Sequence, residues 1–88
     1  MGDDHDGDVP VPAYVYMQVA DTIAASIADG TLPVGARLAG ERDLGIEHGV
    51  AARTARRAVR ELRERGLVAT LPSKGTYVIA KPSDTPRD

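Results

Sequence analysis

Three helices followed by one β-hairpin, a mainly α fold with a small β component (α+β), are what this 88-residue chain predicts. Three observations carry that prediction. An apolar stripe at helical spacing stands first, two shorter helical patterns flank a glycine, and two β-prone runs follow with a Pro/Gly turn between them.

Residues 1–12 hold four Asp, two Gly and two Pro with little to bury, and are expected to be a disordered acidic lead-in. The folded domain is expected over residues 13–81. From Tyr14 onward, Tyr16, Val19, Ala20, Ile23, Ala24 and Ile27 recur at spacings of three and four, one face of a helix. Asp29-Gly30 ends it, because glycine takes the left-handed conformation past a helix end without penalty. Leu32-Pro33-Val34-Gly35 forces a loop, and Arg37-Leu38 suits a very short strand. Glu41 to His48 is the second helix, expected to bury Leu44 and Ile46, with Gly49 closing it and Val50 turning inward. The third helix is expected from Ala51 to Arg65, stopped by Gly66. Leu67–Leu71 and Thr76–Ala80 then form a hairpin around a four-residue turn, Pro72 to Gly75. Residues 82–88 read as a flexible tail. Two helices joined by a short glycine-containing turn, followed by a hairpin, make a winged helix-turn-helix.

Composition narrows the function. Without cysteine there is no disulfide or thiolate metal site. His5 and His48 fall in no metal-ligand spacing, and no nucleophile–base pair or Gly-rich phosphate loop is present. An enzyme, a cofactor and a metal are therefore not expected. No apolar run approaches the ~18 residues of a membrane span, and the acidic start is unlike a signal peptide, so a cytoplasmic protein is expected, nucleoid-associated when bound to DNA.

The net charge of −2 conceals an asymmetry: residues 1–36 sum to −6, residues 37–81 to +5 and residues 82–88 to −1. Local fields steer partners more than the whole-chain sum does. At about 100° per residue, Ala55, Ala58, Val59 and Leu62 share one face of the third helix, and Arg53, Arg56, Arg57 and Arg60 the opposite one. A solvated face usually alternates in sign, whereas this arc holds Glu64 as its one acid. Arginine suits bidentate contacts with guanine edges and phosphates, and the second helix of a helix-turn-helix enters the major groove. Double-stranded DNA is the expected partner. Thr54, at the edge of this face, is either a capping or back-bonding hydroxyl or a phosphate contact. Arg42 is positioned for the DNA backbone or for pairing with Glu41 or Glu47. Lys74 stands at the hairpin tip, where a phosphate or minor-groove contact would fall. The alternative from another class is a protein–protein module whose arginine face docks an acidic partner.

The stretch from Tyr14 to Val78 resembles the amino-terminal DNA-binding domain of the GntR family of bacterial regulators. The segments that carry the resemblance are IADGTLPVGARL, ERDLGIEHGV, RTARRAVRELRERGLV and KGTYV. The resemblance implies a transcriptional repressor, with Arg42, Thr54, Arg56 and the wing glycine Gly75 at the family's DNA-contacting positions. Because one such module covers only ~600–1,000 Å² of protein surface, a second copy of the chain on a palindromic site is also expected. Three departures stand out. Ala39-Gly40 replaces the family's Pro-Ser before the second helix, losing a capping hydroxyl at a few tenths of a kcal/mol. Ala51-Ala52 replaces Ser-Arg, leaving Arg53 to take the missing arginine's place. Ser73 replaces the first wing glycine. Family members continue into an effector-binding domain, and a chain ending at Asp88 is either an excised domain or, as expected here, a regulator without one.

Overall fold

The computed structural model describes residues 12–82 as α1 (Ala13–Ala28), α2 (Glu41–His48), α3 (Ala52–Glu64), β1 (Val68–Leu71) and β2 (Gly75–Val78). The expected lead-in and tail lie outside the described residues, apart from Pro12 and Pro82.

The stripe on α1 buries Val19, Ala20, Ile23 and Ile27, with Tyr16 and Ala24 packed at its margins. Pro12 stands at its N-cap and accepts the Val15 and Tyr16 N–H groups at 3.1 and 3.4 Å. Past the other end, the Asp29 carboxylate accepts the Thr31 N–H at 2.8 Å. Hydrogen bonds from Thr31, side chain first and backbone second, hold the Asp29 carboxyl below its ordinary value of 3.8.

Helix α2 has the expected bounds but not the expected buried face. Leu44 and Gly45 are buried, whereas Ile46 is 72% exposed. Residues two apart on a helix point about 200° from each other, so a narrow contact that takes Leu44 cannot also take Ile46. Gly40 is the N-cap and offers no side-chain bond. Gly49 ends the helix at φ 71°, and Val50 packs against the core as expected. The connection to α3 is tight: the Val50 N–H bonds to the Gly45 carbonyl at 2.8 Å. A Cβ on Gly45 would stand 2.6 Å from the Val50 carbonyl oxygen. Only glycine lets the turn pass so close.

Helix α3 is one residue shorter at each end than expected, with Ala51 and Arg65 as its caps. Ala55, Ala58, Val59 and Leu62 form its buried face, and Thr54 joins them. Arg65 ties this end to α1: its Nη2 donates to Asp21 at 2.7 Å and its Nε to Glu61 at 3.0 Å. Partial burial by itself lowers a guanidinium pKa, but the two carboxylates outweigh it and raise that of Arg65.

The wing is an antiparallel pair in the register Val68↔Val78, Ala69↔Tyr77, Thr70↔Thr76 and Leu71↔Gly75. Its loop holds three residues, because Gly75 pairs with Leu71, and β2 ends at Val78 and not at Ala80. The Leu71 carbonyl accepts the Lys74 N–H at 3.0 Å, with Pro72 and Ser73 at the two central positions. Ser73 sits at φ 65°, the sign a type II turn requires at its second central residue. The short strand expected at Arg37-Leu38 is present as a bridge from Arg37 to Tyr77, flanked by bonds from Leu38 N–H to Thr76 O and from Val78 N–H to Ala36 O.

Ile27, Leu62 and Val78, from α1, α3 and β2, are the largest fully buried side chains. Each contributes about 1.5–3 kcal/mol by leaving water. Their common core fixes α3 between α1 and the wing, and so decides which of its sides remains outside.

Candidate nucleic-acid interface

The arginines of α3 do not share one environment. Arg56 and Arg60 project outward with side chains 63% and 61% exposed. Arg56 Nε donates to Glu41 Oε1 at 3.0 Å, and Arg60 Nε lies 3.5 Å from Glu64 Oε2. Both pairs are open to water, so each is worth about 0–1 kcal/mol and yields readily to a phosphate. Arg53, in the first turn, is half-buried.

Arg57 departs from the expected outward arc. Its Nη2 donates to the Tyr16 hydroxyl at 2.9 Å, and its guanidinium carbon lies 4.1 Å from the centre of the Tyr16 ring. Its Nη1 is buried and makes no hydrogen bond. Arg57 stands at the edge of the arc nearest α1, and Tyr16 reaches it there. A cation over an aromatic face contributes about 0.5–2 kcal/mol, so Arg57 acts as a clamp between α1 and α3. Thr54 also departs from the outer edge: it is 7% exposed, and its backbone N–H bonds to Ala51 O at 3.0 Å.

Arg42 is exposed and makes no ion pair among the described residues, because Glu41 is turned to Arg56. Lys74 is exposed at the wing tip, where its carbonyl accepts the Tyr77 hydroxyl at 3.1 Å. Gly75 holds φ 119° beside it. The fold thus gathers Arg42, Arg56, Arg60 and Lys74 as exposed cations on α2, α3 and the wing.

Of the cations not singled out from sequence as binding candidates, Arg63 and Arg37 stand beside this surface. Arg63 is exposed and donates to Thr70 Oγ1 at 3.0 Å, linking α3 to the wing. Arg37 read only as a strand residue, yet it lines a cleft of about 250 Å³ with Gly40, Glu41, Val59, Gly75 and Thr76. The wheel of α3 places Arg63 on the flank of the arginine arc, a signal for that residue. Nothing local signals Arg37, because its setting depends on β2. Among the described residues no three His, Asp or Glu side chains gather as a metal site, and no helix is long and apolar enough to cross a membrane.

Three helices, a tight turn between the second and third, and a hairpin beside them define a winged helix-turn-helix domain. A family profile described as bacterial regulatory proteins, gntR family, matches residues 15–78, and the chain belongs to that family. It is 39% identical over 66 residues to the HTH-type transcriptional regulator SmoD of Agrobacterium fabrum, a match that covers 75% of this chain and 28% of the relative. It is 41% identical over 64 residues to the mannosyl-D-glycerate transport/metabolism system repressor MngR of Escherichia coli, covering 73% and 27%. A solved GntR family transcriptional regulator from Listeria monocytogenes shares the fold at a TM-score of 0.70 and 30% identity, over 84% of this chain and 61% of that one. The chain spans about a quarter of the length of the two curated relatives.

Proposed function

We propose that this domain binds double-stranded DNA sequence-selectively and regulates transcription, with α3 in the major groove and the wing on the flanking backbone or minor groove. The carrying observation is the exposed basic surface of Arg42, Arg56, Arg60 and Lys74, whose two ion pairs are weak and open to solvent. Arg56 and Arg60 face base edges and phosphates, with Arg53 beside them at the start of the helix. Arg42 contacts the backbone from α2, and Lys74 and Gly75 meet it at the wing. Thr54, being buried, serves by setting the start of α3, and Arg57 serves by fixing α3 against α1.

One such module covers about 600–1,000 Å² of protein surface on DNA, so firm occupancy needs a second copy on a palindromic site. Repression is the proposed sense of regulation, after MngR, which is named a repressor. Membership in a family of regulators supports a non-enzymatic role, exercised in the cytoplasm on nucleoid DNA. No small-molecule effector is assigned to this domain.

Titration with duplex DNA at two salt concentrations tests the proposal. Five phosphate contacts give a log–log slope of about −4 to −5, which weakens binding roughly 250- to 1,000-fold over a fourfold rise in salt. Absence of duplex binding at low salt overturns the proposal and favours an acidic protein partner instead.

A further inference from the structure

Arg37 lies in the extended segment between α1 and α2. Leu38 is buried and Ala36 packs against the core, so alternation along an extended chain turns Arg37 to the other side. The backbone there is immobilised by bonds from Gly35 N–H to Val78 O, from Leu38 N–H to Thr76 O and from Val78 N–H to Ala36 O, all 2.8–2.9 Å. Arg37 therefore faces Tyr77 across the bridge and reaches diagonally along β2 to Gly75.

The guanidinium occupies the space that any other residue at position 75 would fill. A Cβ on Gly75 would stand 2.6 Å from Arg37 Nε and 3.3 Å from its Cζ and Nη2. The φ of 119° is what requires glycine at position 75, and the arginine lies over the space its missing Cβ leaves open. Arg37 is exposed and has no ion pair among the described residues. Glu41, the acid in the same cleft, is turned to Arg56 at 3.0 Å. The cleft between the wing and the start of α2 therefore presents an exposed guanidinium with no ion pair among the described residues, on a backbone fixed by hydrogen bonds to β2, with Lys74 next to Gly75.

We infer that Arg37 binds a phosphate of the DNA backbone at the foot of the wing, in the cleft lined by Gly40, Glu41, Gly75 and Thr76, where Gly75, lacking a Cβ, leaves room for its side chain. This rests on the DNA-binding reading above. It adds a contact from a segment outside both the helix-turn-helix and the hairpin. The wing and α2 would then grip one stretch of backbone from two sides.

The test is titration of the full chain and its R37Q and R37K variants with a selected duplex and a random one, at about 50 and about 200 mM salt. For R37Q the log–log slope becomes shallower by about 1, and low-salt affinity falls roughly three- to tenfold on both duplexes alike. R37K keeps most of the affinity, because lysine also binds phosphate as a point charge. The melting temperature of R37Q stays at that of the unaltered protein. Unchanged slope and affinity in R37Q overturn the inference, as does a loss that accompanies a lower melting temperature. A loss confined to one base pair of the selected duplex overturns the phosphate assignment. Failure of the unaltered protein to bind any duplex sinks the DNA reading itself, so the two failures are told apart in one experiment.

Discussion

Arg56 and Arg57 are consecutive residues on one helix, and their surroundings set them opposite tasks. Arg56 looks outward, holding one exposed carboxylate 15 residues away. Arg57 lies against Tyr16, 41 residues away, half-buried and with one nitrogen lacking any partner. The same division runs along the whole helix. On the α1 side, Arg57 and Arg65 are held by Tyr16, Asp21 and Glu61, and stabilise the fold. On the opposite side, Arg56 and Arg60 keep their charge available to a polyanion. A basic ridge counted by residue type is therefore two ridges, one tied into the fold and one left exposed to solvent.

Removing the outward side gives the largest effect. Replacing Arg56 and Arg60 together with alanine is expected to cost about 2–6 kcal/mol of duplex binding, at about 1–3 per arginine. Stability should stay within about 0.5 kcal/mol, since both residues are exposed. Anisotropy titration and thermal melting check the two halves, and a large fall in melting temperature with intact binding would reverse the assignment. Breaking the α1 side should do the opposite. Tyr16→Ala removes the ring and the hydroxyl that hold Arg57, and is expected to lower stability by about 1–3 kcal/mol, while the folded fraction keeps its duplex affinity. Denaturant unfolding followed by titration distinguishes the two.

The wing sharpens the contrast, because its strain is of the backbone. Ser73 is the non-glycine residue at positive φ among those described. A left-handed residue with a Cβ costs about 1–2 kcal/mol, and glycine's extra chain entropy takes back roughly half of that. Ser73→Gly should raise stability by about 0.5–1 kcal/mol, read as a melting temperature a few degrees higher. The smallest effect falls at Asp29, remote from both sides of α3. Its carboxyl is held below 3.8 by Thr31, so its contribution is present above that value and is lost as the pH falls through the folded-state pKa. The melting-temperature gap between the unaltered protein and Asp29→Ala should narrow as the pH is lowered from 6 toward 2.

Much of the fold was legible because its signals are local. The spacing of Val19, Ala20, Ile23 and Ile27 marks α1, the Gly49 break separates α2 from α3, and the β-prone runs mark the wing, each decided within a few residues. Errors arose where a contact with another element made the choice. Ile46 is apolar but stands on a side of α2 that no described element covers, and Gly75 joins β2 because the Leu71 carbonyl closes the turn one residue earlier. Among candidate site residues, Arg42, Arg56, Arg60 and Lys74 are exposed as the pattern suggested. Arg57 turns to Tyr16 and Thr54 is buried, and no signal near Arg37 in the sequence marks the cleft it lines.

Periodicity and glycine placement alone determined that this chain makes three helices and a wing, and that its third helix carries a basic face. Those properties arise from backbone sterics and burial over one or two turns, which neighbouring residues control. Tertiary structure alone decided which arginines keep a free charge. That depends on which side chains from distant segments arrive within about 4 Å, where a partner's interaction with a guanidinium is strong. Tyr16 meeting Arg57, Glu41 meeting Arg56 and Gly75 making room for Arg37 are encounters that packing creates.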